Sequence, residues 1–310
     1  MRKLLFLYFL SLLHQHALTQ DSTVLIEGNL IQLSEVIVRS DINVPAFIRR
    51  VKTDTGFYKS FRNLRVLKFN AINDVRMLNK KGGVQASLNS RTRQYAQKGC
   101  RFTEVLEEKH SGDFYDASGD YNYYTASMYA GIMFARDTVC NETNIVKGNI
   151  FDLKGKRGLD KHKEQLKMLF FLPGVPVPGI PFIGNKLGVF EKNMQQLYDF
   201  RIDLVEYQGE NCYLFEVKAR SGLSASERSR IVIDEMKTWL AVSDMNILGK
   251  TYRMRYNAGV YDFDVNMEVE LKRFAGLQVP TLIRYTGDWD VPFKTRERGV
   301  FTAVLYDFKY

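Results

Sequence analysis

The residues best suited to holding a metal ion lie in one acidic, glycine-containing stretch between residues 107 and 120. Its candidate ligands are Asp113, Asp116 and Asp120, because hard cations such as calcium bind several converging oxygens. Their spacing does not reproduce a calcium-binding loop, and Asp, Ser and Gly are also the residues of an exposed turn. We therefore favour a turn, and predict neither a metal nor a cofactor.

Nucleophilic catalysis would need a base beside the attacking side chain, and the sequence offers few bases of the usual kind. Only His110 and His162 lie outside the N-terminal segment that we interpret below as a signal peptide, and His162 falls on the apolar side of a predicted helix. We find no glycine-flanked serine elbow, phosphate-binding glycine loop or Cys-x-x-Cys pair. A carboxylate pair distant in sequence stays open. We expect a non-enzymatic protein, with a hydrolase that uses carboxylates or a metal as an alternative.

The most suggestive feature is a basic helix that leads into a proline-rich apolar segment. Prolines at 173, 176, 178 and 181 interrupt this segment, which predicts an extended loop with few backbone hydrogen bonds. Such a segment can line an apolar cavity or contact anionic lipid, and the alternative is a loop that closes the core. The candidate ligand-binding residues are its apolar side chains: Phe170, Phe171, Leu172, Val175, Val177, Ile180, Phe182 and Ile183. The candidate lipid head-group residues are Lys161, Lys163 and Lys167.

The chain has three cysteines, an odd number that allows at most one internal disulfide. We predict a disulfide between Cys100 and Cys140. Cys212 lies in an apolar run and is predicted to be a buried strand residue.

Residues 1–19 have the organisation of a cleavable signal peptide. Arg2 and Lys3 precede an apolar run from Leu4 to Leu13, which is shorter than the ~20 residues of a membrane-spanning helix. Cleavage is predicted after Thr19. We expect an exported protein that is periplasmic or associated with the outer membrane.

The formal net charge is +9. Such a surplus suits an anionic membrane surface or nucleic acid. For an exported protein we expect the outer-membrane surface or a lipid as partner and no nucleic acid, and a merely basic surface is the simpler alternative.

Two helices are predicted. The first covers residues 44–62, with Asn43 as its cap, Pro45 in its first turn and Gly56 as a weak point. Apolar residues form one side of it, and Arg49, Arg50, Lys52, Lys59 and Arg62 form the other. The second covers residues 159–172 and has one apolar stripe.

The rest of the chain has the alternation of β-strands. A turn at residues 80–83 joins two alternating runs, and the turn-rich stretch 110–119 separates the strand at 102–106 from the aromatic run 121–124. Residues 30–39 predict a further short strand. We expect a meander of antiparallel strands.

The most regular alternation covers residues 261–272. With Ala258 and Gly259 as central turn residues, the strand at 252–256 would pair so that Arg255 faces Asp262 and Arg253 faces Asp264. This register brings opposite charges together.

Together these elements predict an α+β fold, mainly antiparallel β, in which a curved sheet or open half-barrel packs against helices. Residues 20–42 form a leader with a short strand, and residues 43–310 form one β-rich domain. The alternating aromatic residues at the C-terminus are also typical of outer-membrane barrels, but two helices and a proline-rich loop argue against that alternative.

Several motifs carry a resemblance to a known family. They include Leu-Pro-Gly at 172–174, Ile-Pro-Phe-Ile-Gly at 180–184, Cys-Tyr-Leu-Phe at 212–215 and Arg-Glu-Arg at 296–298. With them the chain resembles uncharacterised exported proteins of Bacteroidetes-type bacteria, which implies an envelope location. More distantly, the predicted architecture is similar to the outer-membrane lipoprotein-sorting carriers LolA and LolB, whose open half-barrels hold acyl chains. LolB-type carriers are themselves acylated, and no cysteine here matches that site.

The sequence therefore favours an exported, non-enzymatic envelope protein that binds a lipid or a lipoprotein acyl chain. The first alternative is an envelope interaction or scaffold module without a ligand cavity. The second is the hydrolase named above.

Overall fold

The computed structural model describes residues 22–26, 28–34, 37, 42–135, 137–147, 158–180, 183–257, 262–290 and 295–310, except for the side chains at 29, 132, 158–163 and 166. The predicted signal peptide at 1–19 and its cleavage site lie outside the described residues. Among the described helices, none has both the length and the apolar composition needed to cross a bilayer.

Strands dominate the described part of the chain. Their bounds are β1 (Ser22–Ile26), β2 (Asn29–Leu33), β3 (Lys68–Leu78), β4 (Val84–Gln97), β5 (Cys100–Ser111), β6 (Val139–Cys140), β7 (Tyr198–Tyr207), β8 (Glu210–Ala219), β9 (Ile233–Ala241), β10 (Ile247–Asn257), β11 (Asp262–Phe274), β12 (Leu277–Asp290) and β13 (Glu297–Lys309). The prediction of a mainly β fold is confirmed.

These strands form one large open sheet in the order β1-β2-β7-β8-β9-β10-β11-β12-β13-β3-β4-β5-β6. Neighbours pair antiparallel, apart from β2 and β7, which are parallel. Within the described residues the sheet does not close, because β1 and β6 remain as its two edges. The predicted meander is present in β3, β4 and β5. The edge strand β1 falls within the predicted leader.

The predicted turn between β3 and β4 is confirmed. The Asn79 side chain accepts hydrogen bonds from the backbone N–H groups of Lys81, at 2.9 Å, and Gly83, at 3.0 Å. Gly82 has a φ of +82°, which a residue without Cβ adopts at little cost. Local turn chemistry was therefore sufficient to predict this hairpin.

The alternation in β11 is also confirmed. Its inward side chains are all buried: Phe263, Val265, Met267, Val269 and Leu271. Together with the neighbouring strands, they form the floor of the apolar core.

The predicted register of β10 and β11 is wrong by two residues. Arg255 pairs with Asp264 instead of Asp262, and Asn257 is the residue opposite Asp262. The connection between the strands therefore has four residues where we predicted two. A shift of two keeps every side chain on its predicted face, and Arg253 still reaches Asp264 diagonally, at 3.1 Å. The predicted turn residues Ala258 and Gly259, and Tyr261, lie outside the described residues.

The described helices are α1 (Val44–Thr53), α2 (Gly56–Asn63), α3 (Tyr124–Met133), α4 (Gly158–Phe171) and the short α5 (Ala225–Arg228). The helix predicted over 159–172 is thus confirmed as α4. The helix predicted over 44–62 is confirmed only in part, because α1 and α2 divide it.

The break between α1 and α2 occurs at Asp54. As predicted, Asn43 caps α1, since its side-chain oxygen accepts the N–H of Ala46 at 3.0 Å. Asp54 is extended, and its carboxylate accepts the N–H of Gly56 at 2.8 Å and that of Phe57 at 3.4 Å. The extended backbone of Asp54 therefore ends α1, and its carboxylate accepts the first N–H groups of α2.

We predicted the aromatic run at 121–124 as part of the strand meander. This prediction is wrong, because the run leads into the helix α3. Tyr121 forms a single bridge with Tyr115, and the helix begins at Tyr124. Its first turn is held by Glu297 of β13. One carboxylate oxygen accepts the N–H of Tyr124 at 2.8 Å, and the other accepts the N–H and hydroxyl of Thr125, at 2.8 and 2.6 Å. Because Glu297 is so distant in the chain, the residues around Tyr124 carry no sequence signal for the start of this helix.

We expect Glu297→Ala to lower the free energy of unfolding by about 1 to 2 kcal/mol, because it removes the cap and the favourable charge at the start of α3. Urea denaturation at neutral pH measures the loss. Glu268→Ala is a matched control on the same sheet, since its ion pair with Arg284 is exposed and worth less than about 1 kcal/mol. Equal losses in the two variants would contradict the capping role.

The proline-rich segment after α4 is folded more tightly than predicted. It was expected to be extended and poor in hydrogen bonds, yet Val177 donates to the carbonyl of Gly184 at 3.0 Å, and Gly184 donates to that of Ile180 at 3.2 Å. Glycine permits these turns, since a Cβ at Gly184 would lie 2.3 Å from the Val177 carbonyl oxygen. Val177 is 1% exposed, so the segment packs onto the core.

The segment that contains β6 is fastened to β5 and α2. In the structure Cys100 and Cys140 form a disulfide. Beyond it, the Glu142 carboxylate accepts from Arg101 at 2.6 Å and pairs with Arg65 at 2.9 Å. The basic side of α2 also faces this segment. Lys59 donates to the carbonyl of Asn144, Arg62 donates to that of Thr143 at 2.7 Å, and the Asn144 side chain donates to Asn63 at 2.9 Å.

Candidate functional site

The candidate site lies between the sheet and the layer formed by the helices and the segment that follows α4. Two small hollows occupy this space. The first hollow, of about 20 Å³, lies over β11, β12 and β13, and the second hollow, of about 50 Å³, lies over β9 and β10. These volumes hold roughly one water molecule and a few, respectively.

The first hollow is walled almost entirely by aromatic and aliphatic side chains. Its lining includes Phe61, Met128, Tyr129, Phe170, Phe171 and Tyr285. The rings are in mutual contact, with centroids 4.7 Å apart for Phe61 and Phe171 and 5.2 Å apart for Phe170 and Tyr285. This arrangement can receive apolar groups and offers no charge.

The second hollow combines apolar walls with three charged residues, Lys52, Asp54 and Lys250. The Lys250 ammonium lies 5.2 Å from the centroid of the Phe57 ring, within the range of a cation–π interaction. Burial lowers the pKa of Lys250 to about 8, against the opposing charge of Asp54. The Asp54 carboxylate is held by the start of α2 and lies 3.9 Å from Arg50.

Phe171, the last residue of α4, borders both hollows. Two hydrogen bonds fix its surroundings. The Tyr252 hydroxyl donates to the carbonyl of Phe170 at 2.9 Å, and the buried Gln165 side chain donates to that of Pro178 at 3.0 Å. Among the described lining residues, the Phe171 ring is the one that the two hollows share.

The predicted ligand-binding residues divide into groups. Four of them line a hollow: Phe170, Phe171, Leu172 and Val175. Val177 and Ile183 are buried in the core and line neither hollow, and Ile180 is partly buried against it. Phe182 lies outside the described residues.

The predicted head-group lysines are not brought to the hollows by any described contact. Lys167 pairs with Glu164 on its own helix at 3.0 Å. The side chains of Lys161 and Lys163 lie outside the described part of the chain.

Of the charged residues of the second hollow, Lys52 was predicted on the basic side of the first helix, whereas Lys250 and Asp54 were not predicted as site residues. Lys250 has the same strand parity as Tyr252 and Met254, which are buried. A lysine at an inward position of a strand whose other inward residues are apolar was therefore a readable signal. Asp54 carried no such signal, because the weak point of the helix was predicted at Gly56 and not at Asp54.

The acidic stretch after β5 forms a turn. The Asp116 carboxylate accepts the N–H groups of Ser118, at 2.8 Å, and Asp120, at 2.9 Å. The Asp113 carboxylate accepts the Tyr123 hydroxyl at 2.6 Å. Across the described residues, no three His, Cys, Asp or Glu side chains are grouped as metal ligands would be. Asp116 and Asp120 therefore lie in a turn, and Asp113 lies beside it.

No protein-family model and no curated protein matches the sequence. Among solved structures, the chain is similar to a DUF1329 family protein from Desulfovibrio piger, with 10% identity and a TM-score of 0.24 over 83% of this chain and 94% of that one. It is also similar to a domain from Vibrio parahaemolyticus described as an outer membrane lipoprotein-sorting protein, with 10% identity and a TM-score of 0.26 over 85% and 89%. A third likeness is to lipovitellin, with 8% identity, a TM-score of 0.22 and coverage of 78% of this chain and 25% of that one. TM-scores this low do not establish a shared fold family.

Proposed function

We propose that this protein is an exported, non-enzymatic envelope protein that binds an apolar ligand, such as a lipid or a lipoprotein acyl chain. The observation that carries the proposal is Phe171, one ring that borders two hollows with apolar walls. The ligand would lie between the sheet and the helices, in an open half-barrel whose roof is α4 and the segment after it.

The proposal requires the site to open. The hollows of about 20 and 50 Å³ are far smaller than the ~300–1,000 Å³ of ligand pockets. Displacement of Phe171 would join them, and an outward movement of α4 would enlarge the joined space. That outward movement would break the hydrogen bond from Tyr252 to Phe170. The hydrogen bond from Gln165 to Pro178 would break too, unless the segment after α4 moves with the helix.

The closely filled interior favours a second candidate, an envelope interaction module without a ligand cavity. Both candidates agree with the open sheet and its edges. They differ in one measurable property, which is whether the folded protein holds an apolar molecule inside.

We expect the mature protein, purified from the envelope of its host, to carry lipid that native mass spectrometry detects. We also expect the delipidated protein to bind the neutral probe N-phenyl-1-naphthylamine. Phe171→Asp should abolish both, since a charge at the border of both hollows opposes an apolar ligand. Phe102→Asp is the matched control, because Phe102 is 44% exposed on β5.

Circular dichroism separates loss of binding from loss of folding. If Phe171→Asp does not fold, Phe171→Trp replaces it, and its larger apolar ring should lower probe affinity by occupying the hollows. Folded wild-type protein that carries no lipid and does not bind the probe would overturn the proposal and favour the interaction module.

A further inference from the structure

Lys250 lies in an environment that does not suit an ammonium group. It is on the inward face of β10, and in the pairing of strands its neighbours are Thr238 of β9 and Val269 of β11. Around it the second hollow is walled mainly by apolar groups, including Phe57, Phe171 and Leu240. A charge in such surroundings is costly unless a partner of opposite charge compensates it.

The described residues supply little of that compensation. Lys250 donates no hydrogen bond to any described residue, although its ammonium has three donors. Its contact is with the Phe57 ring, 5.2 Å from the ammonium. Asp54, the one acidic residue of this hollow, is engaged by the N–H groups of Gly56 and Phe57.

The described lining of the second hollow has two basic side chains and one acidic side chain. They are Lys52, Lys250 and Asp54. The other described lining residues are uncharged and come from α1, α2, the end of α4 with the segment after it, β9 and β10. An anion placed here would compensate Lys250 and accept the hydrogen bonds that Lys250 does not make to the described residues.

We propose that Lys250 binds the acidic group, a carboxylate or phosphate, of an amphiphilic ligand whose apolar tail extends past Phe171 into the first hollow. This inference rests on the proposed function. It gives the ligand one orientation over the sheet. The head group lies over β9 and β10, and the tail lies over β11, β12 and β13. The class of ligand is thus a single-chain or phospholipid-like acid and not a neutral lipid.

The test uses competition for N-phenyl-1-naphthylamine bound to the full-length protein. Dodecanoate and dodecyl phosphate should displace it at about 10-fold lower concentration than dodecanol, which has the same tail and no charge. Lys250→Met should reduce this preference to about 2-fold or less while the probe still binds. Lys250→Arg should preserve the preference, because the positive charge remains.

Lys272→Met is the matched control, since Lys272 is exposed on β11, and it should keep the wild-type preference. The preference should also decline above a pH of about 8 in the wild type, because Lys250 loses its proton there. Lys52 and Asp54 are the other charged groups that line the hollow.

The outcomes separate the two proposals. Binding of the probe with equal competition by dodecanoate and dodecanol would overturn the role of Lys250 and leave the proposed function intact. Failure of the wild type to bind any apolar compound would overturn both. Inorganic phosphate should not compete with the probe, and competition by phosphate alone would show that the occupant is a free anion.

Discussion

Replacing Cys100 and Cys140 with serine is expected to lower the free energy of unfolding by about 3 to 4 kcal/mol. The disulfide joins residues separated by 40 positions, and on the chain-entropy model a loop of that length accounts for a loss of this size. β6 has two residues and pairs with β5 only through Cys140 and Val139, so the backbone adds little. Urea denaturation under non-reducing conditions measures the difference.

Reduction of the wild type provides the control for this prediction. Dithiothreitol should lower the wild-type midpoint to that of the double variant and should not change the double variant itself. The Cys212 thiol should not interfere, since it is buried and burial raises its pKa. A wild-type midpoint that is unchanged on complete reduction would contradict the prediction.

Much of the sheet could be predicted because one of its faces is buried. Alternation with a period of two identifies such strands, and it placed Phe263, Val265 and Met267 on the inward face of β11. The register between β10 and β11 was harder to predict. A shift of two residues changes no side chain's face, so hydrophobic pattern alone could not distinguish Asp262 from Asp264 as the partner of Arg255.

The helices were predictable where their caps are local. Asn43 and Pro45 marked the start of α1 correctly, because both act within the first turn. The start of α3 depends on Glu297, whose distance along the chain hides it from any local pattern. Strand propensity of the aromatic residues before Tyr124 then dominated the prediction.

The site was predictable in its apolar part and not in its charged part. The apolar part includes Phe170, Phe171 and Leu172. They belong to a long apolar run, which is expected to be buried away from water. Lys250 was not singled out, because the strand was predicted only over residues 252–256. The inward orientation of Lys250 could be recognised only once β10 was known to extend back to Ile247.

Glu142→Gln is expected to destabilise the protein by about 2 kcal/mol at neutral pH, because it removes charged hydrogen bonds and leaves Arg65 and Arg101 without their carboxylate. Burial raises the pKa of Glu142, but the Arg101 hydrogen bond and the charge of Arg65 exceed that effect and hold it below the usual 4.5. Chemical denaturation at several pH values measures both consequences.

The sign of the pH dependence follows from that lowered pKa. The folded protein holds the Glu142 proton more weakly than the unfolded chain, so the stabilisation is complete above the unfolded pKa and is lost as the pH falls through the folded one. Wild type and Glu142→Gln should therefore differ most near neutral pH and converge below about pH 4. Glu107→Gln, on an exposed pair with Arg91, should cost less than about 1 kcal/mol. A Glu142→Gln deficit that persists unchanged into acid would show that Glu142 acts through packing and not through its charge.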